Sequence, residues 1–343
     1  MDTGREHSRR VRTAMRQIEL AFGGRPIHSL RPEEAVLPTG RIPSGCVSLD
    51  WALGVGGFPR RQILEIFGPE SSGKTTIALH ALACVQRDRG VGAFIDVEHA
   101  LDAKYASSVG VNPDTLLFSQ PRNAEEAFEI VHALIRSCAV DLIVLDSVAA
   151  LSPKTEFADA TTAYGGDPLA RVTANGIRRI HALLPGSECC LILLNQTRSR
   201  LGVRVGDNET SAGGPSLKYH AAMRMEVHQI GSVRKGTETL GIRTRLKVVR
   251  NKLGASHREA ELDILFGEGI HVEGDLFDLG VKSGAITKVR GSYEFQGQHL
   301  GLDRDGSTGC LRANSDLRAS VERKLRELAG LDRLDAFVAA AGA

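Results

Sequence analysis

Eight residues, from Gly68 to Thr75, have the types and the spacing of a loop that binds a nucleoside triphosphate. They match G-x-x-x-x-G-K-[ST], a pattern in which glycines let successive backbone N–H groups point at phosphate oxygens. The pattern assigns Lys74 to the β- and γ-phosphate oxygens and the Thr75 hydroxyl to Mg²⁺. An apolar run, Ile63–Phe67, before the loop and a helical pattern after it favour this interpretation over a plain glycine-rich turn. The predicted triphosphate contacts are Gly68, Pro69, Glu70, Ser71, Ser72, Gly73, Lys74, Thr75 and Thr76.

A second carboxylate needed by such a loop follows the apolar stretch from Leu142 to Leu145. A continuous apolar run of this length suits a central parallel strand, and it ends at Asp146. An aspartate at a strand end is more often a helix cap or a turn residue when it stands alone. With the phosphate loop upstream, Asp146 is instead predicted to hold Mg²⁺ through one of its water ligands. The role of the neighbouring Ser147 stays open.

The elements that position these residues form a large α/β chain of 343 residues, 42% hydrophobic and 24% charged. Apolar strands alternate with helical patterns from Arg41 to about Ile270, which predicts a mostly parallel sheet covered by helices, with a late antiparallel extension. After His271 the pattern changes to short helices, a hairpin at Ile286–Phe295 and a charged helix near Ser315–Leu328. This change predicts a small separate lobe.

The first residues predict one amphipathic helix with a C-terminal stop. Val11, Met15, Ile18 and Phe22 recur at helical spacing, and Gly23-Gly24 ends the run. A short helix cannot bury this stripe alone, so we expect it to dock on the core or on another subunit.

Composition excludes several classes of protein. No run of about 18 apolar residues exists, and no apolar segment of the signal-peptide kind follows the N-terminal arginines, so we expect a cytoplasmic protein without a membrane partner. The six cysteines lack metal-ligand or redox spacing and are expected to be reduced and mostly buried. A formal net charge of +2 neither demands nor excludes nucleic acid.

Four stretches, taken together and in order, resemble the bacterial RecA recombinases. The resemblance covers residues from about 10 to about 330 and implies a RecA-type P-loop NTPase core with an N-terminal helix/strand arm and a small α/β C-terminal lobe. The stretches are Ser44–Asp50 continuing to Gly68–Lys74, Phe94–Asp102, Leu145–Leu151 and Asn195–Arg198. The implied domains are a polymerisation arm at 1–35, an ATPase core at 36–271, a lobe for duplex DNA at 272–332 and a short tail at 333–343.

The resemblance also implies ATP and Mg²⁺ as cofactors and assigns roles around them. Glu98, just beyond a strand end, orients and deprotonates the attacking water; alone it would be a surface acid. Asp102 and Tyr105 hold the adenine, and Phe266 packs on the base, although by itself it fits a core position. Gln196 senses the γ-phosphate at the end of its strand.

Two cations, Arg250 and Lys252, are implied to reach the γ-phosphate of a neighbouring subunit. The family commonly has lysine at the first position, and arginine keeps the charge while changing the donor geometry. The alternative is an exposed basic turn.

Two DNA loops are implied, at about 156–169 and 196–214. The predicted DNA contacts are Arg171, Arg178, Arg198, Ser199, Arg200, Thr210, Gly213 and Gly214; the alternative for the second segment is a solvated loop. The chain departs from the family at both loop tips, with Tyr164–Pro168 where a bulky methionine is usual and Val205 where an aromatic is usual. The C-terminal tail lacks an acidic run, so the lobe cations are expected to be open to duplex phosphates: Lys282, Lys288, Arg290, Arg312 and Arg318.

The leading hypothesis is a DNA-dependent ATPase that forms helical filaments on single-stranded DNA, pairs it with a homologous duplex and exchanges strands. Its partners would be single- and double-stranded DNA, further copies of the chain and an SOS repressor whose self-cleavage it stimulates. An alternative is a divergent paralogue that coats DNA or regulates a repressor without efficient exchange, which the altered loops favour. A ring-forming helicase of the same superfamily is a third hypothesis, against which the arm and the lobe argue.

Overall fold

The computed structural model describes residues 3–23, 27, 40–154, 167–199 and 209–332. The chain divides into two compact units, Met1–Pro38 and Thr39–Ala343. Among the described residues, no helix is both long enough and apolar enough to cross a membrane.

The first unit contains helix α1, Thr3–Phe22. Gly23 ends it in the left-handed conformation, with φ of 73°, and its N–H donates to the Glu19 carbonyl at 2.9 Å. The helix and its stop are therefore as the sequence predicts. Along the predicted stripe, Val11 and Phe22 are exposed while Met15 and Ile18 are half-buried. The helix consequently presents apolar surface that its own unit does not cover.

The second unit is built around one large sheet. Its strands are β3 (Ile63–Gly68), β4 (Gly92–Asp96), β5 (Leu117–Ser119), β6 (Leu142–Asp146), β7 (Cys190–Ser199), β8 (Glu209–Ser211), β9 (Met223–Lys235), β10 (Glu238–Asn251), β11 (Glu259–Leu265) and β12 (Gly269–Ile270). A short pair, β1 (Arg41–Ile42) and β2 (Phe58–Pro59), lies outside it. The strand order is β12-β11-β10-β9-β3-β7-β6-β4-β5, and β8 pairs with β7.

The sheet is parallel from β9 to β5 and antiparallel from β9 to β12, which confirms the predicted fold class. Its central strands are buried on both faces because successive side chains alternate between two hydrophobic cores. In β3, for example, Leu64 and Ile66 enter one core and Ile63 enters the other. The phosphate loop therefore follows a strand that is fixed from both sides.

Helices cover both faces of this sheet. They are α2 (Val47–Leu53), α3 (Lys74–Arg87), α4 (Ala103–Val109), α5 (Ala124–Arg136), α6 (Pro168–Leu183) and α7 (Pro215–His220). Helix α3 packs in the first core through residues such as Ile77 and Leu79, while α5 and α6 pack in the second through Phe128 and Ile177. Strands β9 and β10 extend beyond their apolar runs, because backbone pairing continues through polar residues to a hairpin between Lys235 and Glu238.

The C-terminal residues form α8 (Val272–Ser283), β13 (Ile286–Val289), β14 (Ser292–Phe295), β15 (Gln298–Gly301), α9 (Arg304–Ala313) and α10 (Ser315–Leu328). The hairpin and the final helix are therefore present as predicted. The lobe has a hydrophobic core of its own, but Val47 belongs to that core and Trp51 packs against it. Both residues lie on α2, so the lobe is joined by packing to the part of the second unit that contains the large sheet. The predicted boundary at residue 272 stays a prediction.

Candidate functional site

The phosphate loop lies between β3 and α3, at the carboxyl end of the parallel sheet. Gly68 and Gly73 have φ of 157° and 96°, and a Cβ atom on either would overlap with the Val227 carbonyl or the Ile264 side chain. Backbone conformation therefore favours glycine at both places, and at Gly68 the approach of the Val227 carbonyl also requires it. Ser72 is buried, and its hydroxyl has no hydrogen-bond partner among the described residues. A tight cradle with an unsatisfied buried hydroxyl fits a loop that binds an anion.

Lys74 and Thr75 stand at the start of α3 as the sequence predicts. The Lys74 ammonium donates to the carbonyls of Gly68 at 3.1 Å and Pro69 at 2.6 Å, so it lies across the mouth of the loop. Burial lowers the pKa of Lys74, while the charges of Asp146 and two glutamates act in the opposite direction. The Thr75 hydroxyl donates to Asp146 Oδ2 at 2.7 Å. The two predicted magnesium residues are therefore in direct contact.

Asp146 ends β6, and its peptide bond to Ser147 is cis. Burial raises the pKa of Asp146 to about 6, while the Thr75 hydrogen bond lowers it and Glu98 raises it. Oxygen groups on Thr75 and Asp146 form a donor set of the kind that Mg²⁺ prefers. A divalent cation held here would favour the charged carboxylate and so reverse the effect of burial.

Glu98 lies two residues beyond β4 and is held from two sides. The Ser147 hydroxyl donates to Glu98 Oε1, and the Gln196 side-chain nitrogen donates to the same oxygen at 3.1 Å. Sequence reasoning left Ser147 without a role, because its contact depends on how β4 and β6 are paired. Glu98, the predicted water-activating residue, and Gln196, the predicted γ-phosphate sensor, are thus joined by a hydrogen bond next to the phosphate loop.

A cavity of about 300 Å³ opens beside the phosphate loop. The residues that line it include Tyr105, Phe266 and Thr76. The Tyr105 and Thr76 hydroxyls are hydrogen-bonded at 2.7 Å. Phe266 is 62% exposed, so it is not a core residue. The cavity offers two aromatic rings to a flat ligand, as a base-binding pocket requires.

Asp102 has a different place from the other predicted base contacts. Its side chain caps α4, accepting from the backbone nitrogens of Lys104 at 2.8 Å and Tyr105 at 3.3 Å. It is not among the residues that line the 300 Å³ cavity. Through the cap it fixes the first turn of the helix that carries Tyr105. A direct contact with adenine stays a prediction.

A buried polar network adjoins the site, and the sequence did not predict it. Glu65 is fully buried in the middle of β3, where the Arg224 guanidinium donates to it and also stacks over the Phe67 ring at 4.5 Å. Asn195 Nδ2 donates to Glu65 Oε1 and to the Ala212 carbonyl, both at 3.0 Å. One side chain therefore holds the returning end of the second predicted DNA loop to the centre of the sheet. The signal available in the sequence was a charged residue inside an apolar run.

Arg250 and Lys252 lie at the end of the strands opposite to the phosphate loop of the same chain. The backbone N–H of Lys252 donates to the Ala222 carbonyl at 2.9 Å. The N–H of Ala222 donates in turn to the carbonyl of Ile63, at the start of β3, at 2.8 Å. Strand β3 places about 16 Å between Ile63 and Gly68 at the usual rise per residue. The side chains bond locally, Arg250 to the Lys218 carbonyl and Lys252 to the Tyr219 carbonyl at 2.8 Å. They can reach a phosphate loop only on another molecule.

The predicted DNA contacts are distributed over α6 and the ends of the second loop. Arg171 and Arg178 are exposed and lie two helical turns apart, hence on one face of α6. Gly214 packs so closely on this helix that a Cβ would be 2.8 Å from Ala170, so the end of the loop and α6 form one surface. Arg198 and Ser199 end β7, and Thr210 lies in β8, where it pairs with Arg198. The predicted loop from Gln196 thus begins as a hairpin, because β7 continues to Ser199.

Parts of both loops fall outside the described residues, including Arg200 and the tip residues Tyr164, Gly166 and Val205. In the C-terminal lobe, two of the five cations expected to be open to duplex phosphates are paired with carboxylates. Arg312 is paired with Glu268 at 3.5 Å and Glu273 at 3.7 Å, and Arg318 with Glu273 at 3.0 Å. Nearby carboxylates compete with phosphate for these arginines. Lys282, Lys288 and Arg290 remain exposed.

Comparisons with known proteins agree with this geometry. A sequence profile described as the RecA N-terminal domain matches residues 9–271. Protein RecA of Geobacter sulfurreducens is 43% identical over 335 residues, covering 98% of this chain and 99% of its own. Protein RecA of Syntrophobacter fumaroxidans is 45% identical over 326 residues, covering 94% of each. The crystal structure of the RadB recombinase is similar in fold, with a TM-score of 0.50 and 19% identity over 67% of this chain and 98% of that one.

Proposed function

The chain belongs to the RecA family, and on that premise we propose that it is a DNA-dependent ATPase that forms helical filaments on single-stranded DNA. In this proposal the filament pairs its strand with a homologous duplex and exchanges strands, in recombination and repair. The observation that carries the proposal is the bond between Gln196 and Glu98, since it joins the start of a DNA loop to the ATP site.

ATP binds with its phosphates in the cradle from Gly68 to Thr76 and its adenine between Tyr105 and Phe266. Bound Mg²⁺ supplies positive charge at the β- and γ-phosphate oxygens, held by Thr75 and through water by Asp146. The contact of 2.7 Å between these two residues and the aromatic walls of the cavity support this placement. Lys74 turns from the carbonyls of its own loop to the phosphate oxygens.

Glu98 acts on the water that attacks the γ-phosphate. Its carboxylate is exposed, so water can reach it, while the Ser147 and Gln196 hydrogen bonds fix its orientation. Glu98 accepts the proton of the water as its oxygen bonds to the γ-phosphorus, while the bond from that phosphorus to the β,γ-bridging oxygen breaks and ADP leaves. When single-stranded DNA binds at the second loop, Gln196 is repositioned, and with it Glu98. Hydrolysis therefore depends on DNA.

Assembly completes the site, because Arg250 and Lys252 lie too far from their own phosphate loop. They supply charge to the γ-phosphate of the adjacent subunit in the transition state. The arm at 1–35 links subunits through its exposed stripe. A candidate acceptor is the edge strand β5, where Leu117 and Phe118 are 44% and 50% exposed.

Single-stranded DNA is held by phosphate contacts from Arg171, Arg178, Arg198 and Arg200, assisted by Ser199, Thr210, Gly213 and Gly214. Duplex DNA is held by the exposed lobe cations Lys282, Lys288 and Arg290. The filament acts in the cytoplasm, where it also stimulates the self-cleavage of an SOS repressor.

A second candidate function is a DNA-coating or regulatory filament without efficient strand exchange. It is favoured by one observation, the absence from the sequence of the usual bulky residues at both loop tips. The test is electron microscopy with a slowly hydrolysed ATP analogue and single-stranded DNA, followed by a strand-exchange assay on the same preparation. Filaments with exchange support the first function, and filaments without exchange support the second. Absence of filaments contradicts both.

A further inference from the structure

Two residues one turn apart on α3, Thr76 and His80, make hydrogen bonds near the cavity beside the phosphate loop: Thr76 to the cavity residue Tyr105, and His80 to strand β12, which follows the cavity residues Phe266 and Gly267. Thr76 bonds the Tyr105 hydroxyl at 2.7 Å. His80 Nε2 accepts the backbone N–H of Ile270 at 2.8 Å. Ile270 lies in β12, which follows the turn at 266–268, and Phe266 is the first residue of that turn. The N–H of Phe266 donates to the Leu240 carbonyl at 2.9 Å, which holds the start of the turn. The helix that starts at the phosphate loop therefore contacts Tyr105 and also the strand at the far end of the turn that carries Phe266.

The Ile270 N–H has no partner in β11, because β12 is an edge strand and this N–H faces α3. The next N–H, that of His271, donates to Asp263 on β11 at 2.8 Å, which confirms that successive donors alternate in direction. His80 is buried, so without its imidazole the Ile270 donor would be left unsatisfied in the interior. The hydrogen bond consequently fixes β12 against α3.

The imidazole can accept this bond only while Nε2 carries a lone pair, which leaves the proton on Nδ1. Burial lowers the pKa of His80 to about 4, and the positive charge of Arg87 acts in the same direction. His80 is thus neutral at physiological pH and serves as a fixed acceptor. It is not among the residues that line the cavity with Tyr105 and Phe266, so any effect on a bound base is indirect.

We propose that His80 is a positioning residue for recognition of the nucleotide base: by holding β12 against α3, it fixes the far end of the turn that carries Phe266 relative to the helix that holds Tyr105. This inference rests on the proposed nucleotide site and deepens it. The phosphate cradle is fixed independently by β3 and the start of α3. Loss of the His80 bond should therefore weaken contacts to the base and leave contacts to the phosphates unchanged.

The experiment compares binding of ATP, GTP and inorganic tripolyphosphate, each with Mg²⁺, to the full chain by calorimetry. His80→Leu removes the acceptor and replaces the imidazole with an apolar side chain of similar size. We expect ATP to bind about tenfold more weakly, because a buried donor loses its partner, and the preference for ATP over GTP to fall as well. Tripolyphosphate should bind as before. His80→Gln places an amide oxygen near the position of Nε2 and should restore ATP binding and base preference.

The matched control is Cys84→Ala, one turn further along α3, which removes another buried side chain away from the cavity. It should leave all three affinities unchanged, and thermal unfolding of every variant checks that the chain is folded. Unchanged ATP binding in His80→Leu overturns the proposal. Equal weakening of ATP and tripolyphosphate also overturns it, since His80 would then support the whole helix. If the unaltered protein binds tripolyphosphate but does not prefer ATP to GTP, the assignment of the cavity to the base is wrong. If it binds neither nucleotide nor tripolyphosphate, the proposed nucleotide site is wrong.

Discussion

The side-chain nitrogen of Gln196 lies 3.1 Å from Oε1 of Glu98, so the residue at which the second predicted DNA loop begins is hydrogen-bonded to the carboxylate that we propose activates water. Gln196 N–H in turn donates to the Asn195 side chain at 2.9 Å, and Asn195 holds the far end of the loop at Ala212. Both ends of the loop are therefore fixed beside the ATP site. A change at either described end of this loop would therefore act on the groups that hold Glu98.

Removing the phosphate-loop cation and removing the proton acceptor should have different effects. Lys74→Ala should abolish both tight ATP binding and hydrolysis, because no charge remains at the phosphate oxygens. Glu98→Gln should bind ATP normally while losing about 100-fold or more in turnover, the usual contribution of a general base. Phosphate release with single-stranded DNA and calorimetry measure the two quantities. Glu188→Gln, a surface acid paired with Arg61, is the control and should hydrolyse normally.

Mixing two inactive variants should restore hydrolysis if the site is shared between subunits. Lys252→Ala has an intact phosphate loop without its partner cation, and Lys74→Ala has the cation without a working loop. In an equal mixture about a quarter of the interfaces combine both intact halves. Phosphate release should therefore reappear in the mixture although each variant alone is inactive. A mixture as inactive as its components would place Lys252 outside the site.

The buried ion pair of Glu65 and Arg224 should matter more than a surface pair. Glu65→Gln leaves the Arg224 guanidinium in the interior without a charged partner, and should lower the free energy of unfolding by about 3 kcal/mol. Urea denaturation measures the change. Glu129→Gln removes the partner of Arg179 in an exposed pair and should shift the midpoint little. Similar losses of unfolding free energy in the two variants would show that burial of the pair does not determine how much stability is lost.

The free energy of unfolding should fall as pH rises because of the carboxyl group of Asp50. Burial raises its pKa to about 7 from 3.8, although hydrogen bonds from Ser44 lower it. Between those values the unfolded chain loses the proton while the folded chain keeps it, so rising pH favours unfolding. Asp50→Asn removes this contribution and should reduce the loss of stability between about pH 4 and 7. Urea midpoints at several pH values test it, and parallel curves for the two proteins would contradict it.

Restoring bulk at the loop tips should improve strand exchange. Gly166→Met with Val205→Phe supplies the wedges that spread bases, whereas affinity comes mainly from phosphate contacts. We expect a higher yield of exchanged product and an unchanged salt dependence of single-strand binding. Equal yields would mean that Tyr164 or another residue already supplies the wedge.

Local patterns were enough to predict the phosphate loop, the apolar strand that ends at Asp146 and the C-terminal hairpin, because each depends on residues close together in the chain. Contacts between distant segments could not be predicted. Glu65 finds Arg224 only because β9 lies beside β3, and Ser147 reaches Glu98 only because β4 and β6 are paired. Arg312 and Arg318 were expected to be open because the sequence does not show that Glu273 lies between them. Asp102 was assigned to the base by resemblance, while its local geometry makes it a helix cap.

Trp51, on α2, packs against the core of the C-terminal lobe and is the only tryptophan in the sequence. Its carbonyl also accepts from Arg258 at 3.2 Å, on the side of the ATPase core. All indole emission from the protein therefore originates at the junction of the two parts. A change in its wavelength or intensity when duplex DNA is added would report motion at that junction directly, without a label or an introduced residue.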